Sequence, residues 1–156
     1  MELSQTSSVM APRLLFVLVS TGVALAGEFK FDEHTFTVPD GLMVERVAGP
    51  PLVERPITMT FDESGALYVA DSSGSNEKPQ KQLANPTHRI LRLVDRDGDG
   101  VFDTRTIFAE RLAFPEGTLW LDGALYVSAP PQIWKFTDAD RDGVAEKREV
   151  CSMGKR

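Results

Sequence analysis

Two short acidic stretches constrain this chain more than anything else in it: DRDGDGVFD at residues 95–103 and DADRDGVAE at residues 138–146. In each, carboxylates recur at alternate positions, a Gly follows the third, and one more carboxylate closes the run. A loop that turns so many acids toward one point suits Ca²⁺, which takes six to eight hard oxygen ligands at about 2.3–2.6 Å and needs a Gly at the sharp bend. By EF-hand spacing the first loop offers Asp95, Asp97, Asp99, the Val101 carbonyl and Asp103, but Thr106 stands at the last ligand position. The second offers Asp138, Asp140, Asp142, the Val144 carbonyl and Glu146, with Glu149 at that last position, and so has the fuller set. Strand-like rather than helical stretches flank both. The expectation is therefore a pair of calcium-binding hairpin loops, with no helix pair to open as a calcium sensor would. The competing reading is an Asp/Gly-rich turn that satisfies itself through Asx hydrogen bonds and binds nothing.

The two loops belong to a longer repeat. Ile90, Leu91, Arg92 and Leu93 align with Ile133, Trp134, Lys135 and Phe136 at the same offset of 43 residues as the acids. The run Gly65, Ala66, Leu67, Tyr68, Val69 returns as Gly123, Ala124, Leu125, Tyr126, Val127 at an offset of 58, so the first repeat carries 15 more residues in its 71–89 loop. Short alternating runs bounded by turn residues predict strands at 42–48, 57–61, 66–70, 90–94 and 104–109, and in the second cycle at 118–121, 124–128, 133–136 and 147–151. Residues 29–37 lack clear periodicity, and no long amphipathic helix is evident.

Four strands per cycle, at a repeat of about 40–50 residues, are the signature of a propeller blade. The fold class expected is all-β: about two four-stranded blades, roughly 57–112 and 115–153, plus one leading strand. Propellers close with about four to eight blades, so the expectation is a truncated chain, a partial propeller over residues 42–156 that follows an extension at 27–41. Trp120, Trp134, Tyr68 and Tyr126 fall on strand positions and are expected in the core.

Residues 1–26 stand apart. Arg13 precedes an apolar run over 14–25 that ends in Ala24, Leu25, Ala26, which reads as a secretory signal cut after Ala26. The alternative is a membrane anchor, for which a dozen residues fall short of the roughly 20 that span a bilayer. Export implies a periplasmic or secreted protein that meets the membrane only in transit, where calcium is plentiful. A net charge of −6 without a Lys/Arg cluster argues against nucleic acid. Cys151 is the single cysteine, so no internal disulfide forms, and the absence of C-x-x-C-H means no attached c-type haem.

Because successive strands are antiparallel, the acidic hairpins and the 71–89 loop are expected at opposite ends of the blades. The long loop could then shape a ligand surface, with Asp71, Asn76, Lys78, Lys81, His88 and Arg89 as its polar groups. These form no triad, phosphate cradle or metal-hydrolase spacing, and His34 lies in a polar stretch before the repeats.

FTVPDGLMVERVAGPPLVERPITMTFDESGALYVADS, HRILRLVDRDGDGVFDTRTIFAE and GTLWLDGALYVSAPPQIWKFTDADRDGVAEKREV together resemble the opening of the propeller in PVC-type membrane-bound dehydrogenase and haem-binding proteins, which are similar to soluble quinoprotein glucose/sorbosone dehydrogenases. The resemblance implies a six-bladed, exported propeller that oxidises a sugar or alcohol with a quinone cofactor and passes electrons to a later haem domain. No catalytic or quinone-binding residue maps onto a matching motif here, and the fragment is expected to be inactive alone. Two other readings stand beside it. One is a secreted, calcium-stabilised module that binds a carbohydrate or protein partner, and the other is self-assembly of three copies into a six-bladed ring.

Overall fold

The computed structural model of the chain describes residues 27–151, and the expected signal sequence and the last five residues lie outside them. The chain divides into two compact units, Met1–Val44 and Glu45–Arg156. In the described part of the first, β1 (Gly27–Phe31) and β2 (His34–Val38) form an antiparallel hairpin. The weak periodicity of 29–37 predicts no strand here. The hairpin's cue is Phe29 and Phe31 alternating with charged residues on β1, across a turn where Asp32 takes φ 51° in place of a Gly. Phe31 meets Phe36 edge-on at 5.9 Å, the ring contact that closes the hairpin.

The second unit holds two four-stranded antiparallel meanders. Sheet 1 runs β3 (Pro56–Phe61), β4 (Leu67–Asp71), β5 (His88–Val94) and β6 (Thr104–Leu112) in that spatial order. Sheet 2 does the same with β7 (Gly117–Leu121), β8 (Ala124–Ala129), β9 (Gln132–Thr137) and β10 (Lys147–Val150). The all-β class and both sets of four strands follow the alternation of the sequence. The first hairpins of the two sheets turn differently. Asp62 ties the β3–β4 turn by accepting from the Ser64 and Ala66 N–H groups at 2.8 and 2.9 Å. Asp122 and Gly123, at φ 50° and 73°, make the two-residue Asp-Gly turn of β7–β8, whose left-handed pair suits the strand twist.

One expected strand is corrected. Residues 42–48 form no strand. Ala48, Leu52 and Val53 are spent instead on covering one face of sheet 1, packing on Leu67, Val69, Leu91, Leu93 and Phe102. Burying apolar area there outweighs pairing at a sheet edge. The 71–89 loop also contains a short helix, α1 (Pro79–Ala84), with Pro at its first turn and no buried side chain.

The opposite face of sheet 1 packs on sheet 2. Tyr68, Ile90, Phe108 and Leu112 meet Leu125, Val127, Ala129 and Phe136. Tyr68 is the hinge of this core: it stands edge-on to Phe108 and stacked on Trp120, both at 4.8 Å. Trp120 places its indole N–H on Glu63, and Thr58 meets Thr118 across the two first strands at 3.4 Å. Trp134 borders the same core, whereas Tyr126, expected inside, is half-buried on the outer face of sheet 2 beneath the Lys135 ammonium. On the outer faces Met59, Phe61, Leu119 and Leu121 remain 63%, 58%, 55% and 49% exposed.

Candidate functional site

The first acidic loop joins β5 to β6. Asp95 accepts from the Gly98 and Gly100 N–H groups at 2.7 and 2.8 Å, and Asp97 and Asp99 accept from the N–H two residues on. Gly98 and Gly100, at φ 77° and 90°, supply the left-handed backbone that turns those N–H groups inward. The Gly100 N–H, with that of Gly98 and the neighbouring Asp97, holds the Asp95 carboxyl below the ordinary aspartate value against the opposing effect of desolvation. Asp95, Asp97 and Asp99 bring ligand atoms within 4.8 Å of one another. Asp103 is outside that group and closes the loop by accepting from the Arg96 N–H at 3.0 Å. Val101 lies at the loop's exposed tip.

The second loop joins β9 to β10 and gathers four carboxylates, Asp138, Asp140, Asp142 and Glu146, within the same 4.8 Å. Glu146 accepts from the Ala139 N–H at 2.8 Å, as Asp103 does from Arg96, and Asp142 accepts from the Val144 N–H at 2.8 Å. Asp138 Oδ2 takes the Gly143 N–H at 2.9 Å, while its Oδ1 is buried without a hydrogen-bond partner. The crowding shows in the acids. Asp140 is raised because it shares a hydrogen bond with Glu146, while the Ala139 N–H and Asp140 hold Glu146 low. Glu149 does not join them: it faces Lys135 across the β9–β10 ladder and pairs with Lys147 at 3.0 Å. Strand β10 begins between Glu146 and Glu149 and carries Glu149 out of reach.

Each loop is also pinned to what precedes it, at the same repeat position. The Phe102 N–H donates to the Val47 carbonyl at 2.8 Å, and the Ala145 N–H donates to the Phe108 carbonyl of β6 at 2.9 Å. Gly143 is buried beside Arg92 and Thr106 of sheet 1. The second loop is thus a buttress between the two sheets.

At the other strand ends, Asp71 is fully buried and saturated. It accepts from the Glu54 and Arg55 N–H groups at 3.2 and 2.8 Å and from Arg89 Nε and Nη2 at 2.9 and 2.7 Å. Burial alone would raise its pKa, but the Arg55 N–H, the Arg89 guanidinium and the Glu54 N–H hold it below the ordinary value. His88 is buried as well: Nδ1 accepts from the Ser73 N–H at 3.0 Å and Nε2 lies 3.1 Å from Gln82 Oε1, with desolvation lowering its pKa. The expectation that Asp71 and His88 face a ligand is corrected, because both anchor the loop from within. Arg89 is committed to Asp71, leaving Asn76 and Lys78 exposed, while Lys81 pairs with Glu77 at 2.5 Å.

Between α1, the end of β6 with Ala113 beyond it, and the β8–β9 turn lies a half-open cavity of about 350 Å³. Arg111, Arg148, Gln132 and Trp134 line it together with Leu83 and prolines. Sequence reasoning passed over both arginines, which are far apart along the chain. One signal was present: Arg148 pairs opposite Phe136, a cation on the face its strand turns toward the core.

Among families, residues 31–156 match one described as a domain of unknown function, DUF7133. No curated protein and no solved structure matches the chain. A match across that span places this chain in the DUF7133 family, whose fold here is a pair of packed four-stranded meanders carrying acidic hairpin loops.

Proposed function

We propose that the chain is part of an exported β-propeller whose acidic hairpin loops bind calcium and stiffen the joints between blades, leaving the opposite end free to bind a ligand. One observation carries the calcium reading. In a cluster of four carboxylates, Asp138 keeps a buried oxygen that nothing else satisfies. An unpaired buried carboxylate oxygen is costly, and a cation removes that cost together with the mutual repulsion. Asp138, Asp140, Asp142 and Glu146 would hold the ion, with Asp95, Asp97 and Asp99 as a weaker second set. Its effect is mechanical: the bound loop is the one whose Ala145 N–H grips β6, so filling it ties sheet 2 to sheet 1.

The propeller reading rests on the repeated packing. The segment at Val47 receives Phe102 as Phe108 of β6 receives Ala145, so the leading segment stands in the place of a preceding sheet's last strand. The outer face of sheet 2 repeats the inner face of sheet 1: Tyr126 and Lys135 align with Tyr68 and Arg92, yet among the described residues Tyr126 has no counterpart of Trp120 to stack upon. A further sheet seated there would supply one, and would also cover Leu119 and Leu121. Within the quinoprotein-like dehydrogenase that the resemblance implies, these sheets would act as scaffold and ligand-facing surface, since the described residues bring no acid–base pair to the cavity.

Calorimetric titration of the full chain with Ca²⁺ tests the reading. Saturable binding with an affinity of about 0.1–1 mM, typical of extracellular sites, is expected. No heat and no change in melting up to several times that concentration would remove it.

A further inference from the structure

We propose that the cavity beside α1 is a binding site for a small organic oxyanion. Arg111 and Arg148 would hold its carboxylate or phosphate, and the Trp134 and proline walls would hold its body. The inference stands on this cavity alone and does not require calcium, whose loops leave the opposite strand ends.

The site is cationic in an acidic protein. The chain carries a net charge of −6, yet among the described residues no Asp or Glu lines the cavity, whereas Arg111 and Arg148 do. The Arg148 guanidinium sits over Trp134, its carbon 3.8 Å from the ring centroid, a cation–π contact that restricts where the group lies. It forms no ion pair among the described residues, and its bonds to the carbonyls of Glu110 and Arg111 are long, at 3.3–3.4 Å. A guanidinium has five N–H donors in a rigid fork, so donors are left over for a ligand. Arg111, at φ 60°, accepts two of those bonds on its carbonyl and likewise has no ion pair among the described residues. Two like charges sharing one cleft repel each other, and an oxyanion that bridges them relieves the repulsion while forming charge-assisted, bidentate hydrogen bonds.

The walls say what the anion is attached to. Leu83, Pro86, Pro130 and Pro131 are apolar and Gln132 adds one amide. Pockets of small ligands begin near about 300 Å³, so this one fits a single ring with its charged group and not a chain of residues.

The test uses the full chain and four probes at low salt, followed by calorimetry or ¹⁵N NMR: benzoate, phenyl phosphate, inorganic phosphate and the neutral benzyl alcohol. Saturable binding of benzoate or phenyl phosphate, with none of benzyl alcohol, is expected, and the stronger of the two organic anions tells carboxylate from phosphate. Arg111→Gln should weaken that binding by about tenfold or more, the worth of a charge-assisted hydrogen bond, with melting unchanged. Arg111→Lys should recover part of it. Arg148→Gln gives the same loss and is scored only on protein that melts as the parent does. No saturable binding of either organic anion would overturn the proposal. So would equal binding of benzyl alcohol, inorganic phosphate binding as tightly as phenyl phosphate, or affinities that ignore Arg111→Gln.

Discussion

Replacing Asp142 by Asn should reverse the sign of its effect on stability when calcium is added. Asp142 is one of four carboxylates converging within 4.8 Å, and its Oδ1 accepts the Val144 N–H at 2.8 Å, a bond that the Asn carbonyl oxygen can keep. Without a cation the substitution removes one of four repelling charges and leaves the turn intact, so the variant should melt at or above the parent in EDTA. With calcium the balance turns. A site of about 0.1–1 mM affinity, at about 10 mM Ca²⁺, stabilises the parent by roughly 1.4–2.7 kcal/mol through mass action. For a folded region of this length that is a rise in Tm of roughly 5–10 °C. The variant has lost a charged ligand and should gain only a fraction of it, so the two melting curves exchange order between EDTA and calcium. Differential scanning calorimetry of both proteins, with Mg²⁺ as the control for ionic strength, reads this directly. A parent Tm that calcium moves no more than Mg²⁺ does, or a variant destabilised equally in both buffers, would refute the coordination argument.

Other outcomes follow from the packing. Asp71→Asn removes the charge from a carboxylate with no exposed surface whose partner Arg89 is 27% exposed; breaking a buried pair costs about 3–5 kcal/mol, reduced to about 2–4 by the solvent Arg89 still reaches. Glu54→Gln, at an exposed 3.8 Å contact with Arg55, should cost less than about 1 kcal/mol, and urea titration of both variants against the parent reads the difference. His88 is depressed below its ordinary value, so its contribution is complete above about pH 6.5 and is lost as the pH falls through its lowered folded-state value. His88→Gln should flatten that part of the stability profile, whereas the loss from Asp71, also depressed, belongs to pH values below about 4. Phe108→Ala, deleting a ring that is 1% exposed and touches Tyr68 and Phe136, should cost about 3–5 kcal/mol by chemical denaturation.

Local chemistry wrote the strands of both meanders and the acidic loops into the chain. Alternation has a period of two wherever a strand presents one face to a core, and ligand spacing is a property of a few consecutive residues, so both survive in one dimension. The alignment of Tyr68 with Tyr126 and of Arg92 with Lys135 was legible for the same reason. Contacts between distant residues decided the rest. Residues 42–48 have strand-like alternation, but sheet 1 had an apolar face to cover, and Ala48 with the following Leu52 and Val53 supplied the cover. Asp71 and His88 looked like surface groups of a polar loop until Glu54, Arg55, Ser73 and Gln82 closed around them. Glu149 has the right spacing for a calcium ligand, yet the β9–β10 ladder sets it opposite Lys135. The cavity between Arg111 and Arg148 exists only because two sheets and a loop meet there, and no pattern along the chain encodes a space enclosed by several of its segments.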